Sequence, residues 1–150
     1  MVSRRYFRIE PKYANWDVFC RFKVGSKHVR ASIDIYADME MLYDVAAALT
    51  ASRLEKATTV FPGPRDERDD WIFGFFLTVQ PHEGTDKRLR IRVFQGGLDD
   101  GAPYRADICF EFTSVEAEEF AQKLRAWCDK PDYVFSWEAY RHRMGKADSK

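Results

Sequence analysis

Basic side chains recur at every second position in several segments of the chain, and this spacing is typical of a binding surface. Arg88, Arg90 and Arg92 are separated by single apolar residues. In a β-strand, such spacing places all three guanidinium groups on one face. Cations beside aromatic rings on an open sheet can hold single-stranded nucleic acid through phosphate contacts and base stacking. The same parity rule gives the candidate binding residues: Arg21, Lys23, Arg30, Phe76, Arg88, Arg90, Arg92, Phe94 and Arg105.

This predicted face is not uniformly basic. Its seven Lys and Arg side chains are offset by Asp34, Asp107 and Glu111, which leaves a charge of +4. If Gln95 pairs with Tyr104, then Arg92 faces Asp107 and Arg88 faces Glu111, and such cross-strand pairs stabilise a sheet. A self-neutralised solvent face is therefore the alternative to a binding face. Phe76 is expected near Arg90 or Arg92, where a guanidinium can stack on the ring.

The remaining reactive side chains do not form a recognisable catalytic pattern. We expect exposed histidines at His28, His82 and His142, because none of them has metal-ligand spacing. Cys20 shares parity with apolar neighbours and should be buried, and acidic neighbours should raise the pKa of the Cys109 thiol. The acidic loops at 66–70 and 83–86 and the glycines of 96–101 match no calcium or phosphate motif. We therefore predict no catalytic residues, no metal and no cofactor, and lean against an enzyme.

Length and charge balance indicate one ordinary globular unit. The chain has 150 residues, with 24 Lys and Arg against 24 Asp and Glu, which argues against a general polyanion binder. There is no signal-like or membrane-length apolar run, and three widely spaced cysteines suit a reducing compartment. We expect a soluble cytoplasmic protein with one domain at 1–144 and a disordered tail at 145–150. No internal repeat is evident in the sequence.

The first half of the chain predicts strands followed by a helix. Residues 16–24 and 29–35 alternate between apolar and polar types around Gly25-Ser26, which predicts a β-hairpin. A two-residue loop would set Arg21 opposite Arg30, and a four-residue loop keeps the same faces, so the turn length stays open. Residues 5–10 can add an edge strand, and Asp38 is placed to cap a helix at about 38–53.

The second half predicts a meander and a second helix. Strands are expected at 58–61, 71–79, 89–93 and 104–112, joined by short connections. Thr113 and Glu116 form a capping-box pattern ahead of a helix that Pro131 ends. From Asp132 onward, alternation predicts a strand through Trp137, and a short helix at 137–144 is the alternative. The expected fold is α+β: one antiparallel sheet of six to seven strands, in the order β-β-β-α-β-β-β-β-α, with both amphipathic helices on one face.

Three functions fit these patterns. The order of elements is similar to that of small bacterial α+β proteins, some of which act as immunity partners that neutralise toxins. We therefore expect first a non-enzymatic protein-interaction module, immunity-like or homo-oligomeric, that uses the charged sheet face. The alternatives are a small-ligand binder or enzyme with a pocket between helices and sheet, and a single-stranded nucleic-acid binder on the basic and aromatic face. Among partners, the sequence favours a protein over nucleic acid and gives no indication of a membrane.

Overall fold

A computed structural model describes residues 2–14, 18–52, 56–60, 73–95 and 104–142. The first half contains β1 (Val2–Ala14), β2 (Val18–Gly25), β3 (Arg30–Ala37) and α1 (Met39–Thr50). The second half contains β4 (Thr58–Val60), β5 (Phe73–Pro81), β6 (Lys87–Gln95), β7 (Tyr104–Phe112), α2 (Ser114–Asp129) and β8 (Phe135–His142). The described helices include none that is long and apolar enough to cross a membrane.

The strands form two antiparallel sheets rather than one. The first sheet has the order β3-β2-β1-β8, and the second has the order β4-β5-β6-β7. The predicted α+β class and antiparallel pairing are confirmed, but the single sheet of six to seven strands is wrong. Helix α1 separates β3 from β4 along the chain, and β4 pairs with β5 instead of continuing the first sheet. The apolar inner faces of the two sheets meet, with the rings of Phe22 and Phe75 4.9 Å apart.

The C-terminal segment completes the first sheet. Strand β8 runs antiparallel to β1, with Trp137 opposite Phe7 and Phe135 opposite Ile9. Both aromatic side chains are buried, so the alternation of the tail is correctly interpreted as a strand, and the helical alternative is wrong for 137–142. The predicted disordered tail at 145–150 lies outside the described residues, as do the acidic loop 66–70 and the glycine-rich loop 96–101.

The first hairpin has the longer of the two turns that the sequence allows. Val24 pairs with Ala31 and Gly25 pairs with Arg30, which leaves a four-residue loop closed by a 2.7 Å bond from Ser26 N to Val29 O. This register places Arg21 opposite Asp34. The like-charge pairing of the shorter loop is thereby avoided, because opposite charges face each other across the strands.

Both helices begin where the sequence places them. The Asp38 carboxylate accepts hydrogen bonds from the backbone N–H groups of Glu40 and Met41, while Thr113 and Glu116 form the reciprocal capping box. The helices do not lie on the face of a single sheet as predicted. Phe120 of α2 instead sits between the sheets, with ring contacts to Phe7 of the first at 5.7 Å and Phe112 of the second at 5.2 Å. The core is thus shared by both sheets and the helices.

The structure contains a repeat that the sequence does not display. Each sheet is a four-strand meander that ends in a helix: β8-β1-β2-β3-α1 in one half and β4-β5-β6-β7-α2 in the other. The buried helix positions correspond at a spacing of 75 residues: Leu42 and Ala117, Val45 and Phe120, Ala46 and Ala121, Leu49 and Leu124. The two halves therefore place matching strands in the same spatial order, although β8, the first strand of one unit, follows α2 along the chain.

Candidate functional site

The predicted binding residues lie on two separate surfaces. Arg21, Lys23 and Arg30 belong to the first sheet, and the other candidates belong to the second: Phe76, Arg88, Arg90, Arg92, Phe94 and Arg105. Because the inner faces of the sheets pack together, their outer faces point away from each other. The expectation of a single face carrying +4 is therefore wrong, since that sum combines two surfaces. We name them the first outer face and the second outer face.

Ion pairs cover the middle of the first outer face. Arg21 Nε and Nη2 donate to the two carboxylate oxygens of Asp34 at 2.8 and 3.1 Å. This bond holds the pKa of the Asp34 carboxyl below its usual value, because the guanidinium stabilises the charged carboxylate. Lys23 Nζ lies 3.0 Å from Glu10, and Arg8 donates to Glu138 at 2.8 Å. Each of these three cations is thus matched by a carboxylate on its own face.

Sequence reasoning missed part of this network. Arg8 and Glu10 alternate with the apolar residues Phe7 and Ile9 along β1, so their position on the outer side of the strand was predictable from the sequence. Glu138 could not, because it reaches Arg8 through a strand pairing that spans 130 positions.

The Tyr6 side chain packs closely against the backbone of β2 on the same face. Its ring lies over Gly25, where an added Cβ would stand 2.4 Å from the ring carbon. Only glycine leaves room for this packing. The guanidinium of Arg8 stacks above the Tyr6 ring at 4.8 Å from its centroid. A cation–aromatic pair is therefore present here, but its cation is also bound to Glu138.

The second outer face has the predicted strand register. Gln95 pairs with Tyr104, and Arg88 donates to Glu111 at 2.9 Å as expected. Asp107 pairs diagonally with Arg90, through bonds of 2.9 and 3.2 Å to Arg90 Nε, and not with Arg92 directly opposite. The side chain of arginine is long enough for this diagonal contact. The bond holds the pKa of the Asp107 carboxyl below its usual value.

Arg92 is the distinctive cation of this face. It is exposed, and its guanidinium lies over the ring of Phe76, 5.4 Å from the centroid, as the sequence predicts for this ring. Among the ion pairs formed by the described residues, none includes Arg92, because Asp107 is bound to Arg90. Phe94 and Arg105 are paired in the adjacent row of the sheet, with Phe94 opposite Gly74 on its other side. On this face the described side chains of Phe76 and Arg92 therefore form a cation–aromatic pair.

His82 differs from its prediction. It is partly buried rather than exposed, with Nε2 at 3.5 Å from Glu111 and Nδ1 at 3.4 Å from Arg88 Nη2. His28 is exposed as expected, and the side chain of His142 lies outside the described part. The contacts of His82 connect the β5–β6 turn to the Arg88–Glu111 ion pair, so this histidine stabilises the position of that pair on the second outer face.

The cysteines are poor nucleophiles. Burial raises the pKa of Cys20 and of Cys128 to about 12. Burial also raises the pKa of Cys109, with Asp107 as a second cause, so desolvation exceeds the acidic neighbours on which the sequence argument relied. In the described part of the chain, no three His, Cys, Asp or Glu side chains are grouped to hold a metal ion.

Comparisons with known proteins identify solved structures of similar fold. No protein-family model matches the chain, and no curated protein matches its sequence. Two solved structures are similar in fold over most of their length. The crystal structure of WHY1 from Arabidopsis thaliana has a TM-score of 0.50 at 12% identity, covering 85% of this chain and 82% of that one. The crystal structure of WHY3 from Arabidopsis thaliana has a TM-score of 0.52 at 9% identity, covering 85% and 80%.

These similarities correct the functional prediction. WHY1 and WHY3 are Whirly proteins, which are single-stranded DNA-binding proteins. The interpretation as a protein-interaction module is contradicted, and so is the preference for a protein partner over nucleic acid. Zero net charge is a property of the whole chain and conceals how charge is distributed among its surfaces, so it does not exclude a nucleic-acid partner. Between α2 and the first sheet, where the alternative prediction placed a ligand pocket, the Phe120 ring contacts the rings of Phe135 and Trp137.

Proposed function

We propose that this protein binds single-stranded nucleic acid through a basic and aromatic outer face of its sheets. The observation that carries the proposal is the exposed guanidinium of Arg92 stacked on the Phe76 ring. Phosphates are held by guanidinium groups, and unpaired bases stack on aromatic and guanidinium planes with little dependence on sequence. A duplex hides its base faces, so this arrangement favours a single strand.

The distribution of charge supports the same function. Residues 38–50 and 113–130, which form the helices and their caps, contain seven acidic and three basic side chains. This surplus of negative charge repels phosphates from the helical surface and compensates for the cations of the strands. A neutral protein can therefore still present a basic surface to a polyanion, because the local field and not the total charge directs the encounter.

The fold supports the proposal at a coarser level. Two structures of single-stranded DNA-binding proteins share the arrangement of sheets and helices over about four fifths of their chains. At 9–12% identity this likeness concerns the fold, and the residues named here are chosen from the surface of this chain. The single domain at 1–144 and the cytoplasmic location stay predictions.

Fluorescence anisotropy with a labelled oligonucleotide of about 20 nucleotides tests the function. We expect single-stranded DNA or RNA to bind, duplex DNA to bind more weakly, and log affinity to fall linearly with log salt. The double substitution R90Q/R92Q should weaken binding and make the salt slope shallower by about 0.7 for each phosphate that a side chain no longer neutralises.

The matched control is K130Q, which removes an exposed cation beyond the end of α2. It should leave affinity and slope unchanged. No binding at low salt, or binding that does not respond to salt, would contradict the proposed function.

A further inference from the structure

The structural repeat makes the two outer faces comparable residue by residue. The strand that precedes the helix is equivalent in the two halves, so β3 corresponds to β7, and the neighbouring strand β2 corresponds to β6. In this alignment Arg21 matches Arg90 and Lys23 matches Arg92. Both halves thus carry two cations at equivalent positions of a central strand. In each half the first of these cations, Arg21 or Arg90, is bound to an aspartate of the neighbouring edge strand. The two aspartates are not equivalent: Asp34 lies opposite Arg21, whereas Asp107 lies opposite Arg92 and reaches Arg90 diagonally.

The second cation has different surroundings in the two halves. On the preceding strand, the register matches Arg8 with Phe76 and Glu10 with Thr78. In the first sheet Glu10 binds Lys23 at 3.0 Å. In the second sheet the equivalent Thr78 is buried and shares a 3.0 Å hydrogen bond with Thr59, so it supplies no charge. Arg92 therefore rests on an aromatic ring where Lys23 meets a carboxylate.

We propose that the two faces have diverged, and that single-stranded nucleic acid binds at the second outer face, centred on Arg92 and Phe76. This assignment rests on the proposed function. A phosphate approaching Lys23 has to compete with Glu10 and is repelled by it. A phosphate approaching Arg92 meets a guanidinium whose ring partner is neutral and can also stack with a base. Asp107 lies opposite Arg92, but its carboxylate is hydrogen-bonded to Arg90. Glu10 is the residue that keeps the first outer face inactive.

Matched substitutions at the equivalent positions test the assignment. R92Q should raise the Kd for a single-stranded 20-mer about tenfold, because it removes a cation that binds phosphate and stacks on the ring. K23Q should change the Kd less than about twofold, since its charge is already neutralised by Glu10. F76L keeps every charge and should weaken binding about fivefold, because the stacking surface is removed.

A gain-of-function variant tests the role of Glu10. E10Q removes the carboxylate charge and leaves Lys23 without its partner, so a second, weaker and salt-dependent binding event should appear in calorimetric titration. Unchanged far-ultraviolet circular dichroism controls for folding in every variant. An equal loss of affinity in K23Q and R92Q, or an E10Q titration identical to that of the unaltered chain, would overturn the assignment while the proposed function stood. Absence of binding by the unaltered chain would overturn both.

Discussion

Lys87 lies on the buried side of strand β6, where the alternation of the strand places it, although its side chain is charged. It shares parity with the buried Leu89 and is itself only 4% exposed. Its ammonium group donates a 2.8 Å hydrogen bond to the carbonyl of Ala51, at the C-terminal end of α1. The last turn of that helix contains no basic residue. A cation from β6 thus interacts with the negative end of the helix dipole and with a carbonyl group that the helix itself leaves unpaired.

We expect K87M to lower the free energy of unfolding by about 1.5–3 kcal/mol. Methionine keeps most of the buried hydrocarbon, but it leaves the Ala51 carbonyl without its charged donor. Urea denaturation followed by circular dichroism measures the change. The control is K130M, at a lysine whose side chain is 80% exposed, which should stay within about 0.5 kcal/mol of the unaltered chain. Equal stability of K87M and K130M would show that the cap contributes nothing.

At the scale of elements, the start of each helix is fixed by its own short sequence. Both helices begin two residues after a strand ends, with a polar cap between, and both caps were predictable from residue type and spacing. In α2 the Thr113 hydroxyl accepts from Glu116 N at 3.2 Å, while the Glu116 side chain accepts from Thr113 N at 3.0 Å. The end of α1 was less predictable: it stops at Thr50, three residues before the expected end.

Removing the side-chain cap of α2 should lower the stability of the protein by the amount typical of one capping hydrogen bond. T113A is expected to destabilise the protein by about 1 kcal/mol, because the N–H of Glu116 loses its acceptor. S114A, one position further on, is the matched control, since Ser114 is exposed and takes no part in the capping box. Thermal denaturation should give a lower Tm for T113A than for S114A. Identical values would mean that water replaces the hydroxyl at no cost.

At the scale of the whole molecule, the order of the strands along the chain differs from their spatial order in the first sheet. Strand β8 is the first strand of its unit and comes last in sequence, and His142 pairs with Val2. The end of β8 therefore lies beside the start of β1. Phe135 and Trp137 of β8 surround Phe120 with edge-on ring contacts at 5.5 and 5.4 Å, so this strand contributes to the common core.

A circular permutant makes this arrangement testable. Joining residue 142 to residue 2 through a linker of about four residues, with new ends between 52 and 56, should preserve the fold, because every strand keeps its neighbours. A chain that ends at residue 131 lacks β8 and is the contrasting variant. It should lose cooperative unfolding and bind a dye specific for apolar surface. A permutant that also binds the dye would contradict the two-unit architecture.

The sequence by itself determined the elements and much of their local geometry. Period-two alternation located the strands, and both helix caps came from neighbouring residues. The pairing of Gln95 with Tyr104, which the sequence allowed as one register of β6 with β7, is the one observed. A contact of Phe76 with Arg90 or Arg92 was also predictable, because these residues lie on adjacent strands, and the structure shows Arg92 as the partner. These features depend on backbone periodicity and on groups a few positions apart.

The tertiary structure alone decided how many sheets form, which surfaces carry the candidate residues and which acids neutralise the cations other than Arg88. Alternation shows that one side of a strand is buried, but it does not specify the strand or sheet that covers it. The pairing of β1 with β8 and the ion pair of Arg8 with Glu138 join opposite ends of the chain. Such choices follow from the packing free energy of all elements together, and so only the folded chain separates the paired Lys23 from the ring-stacked Arg92.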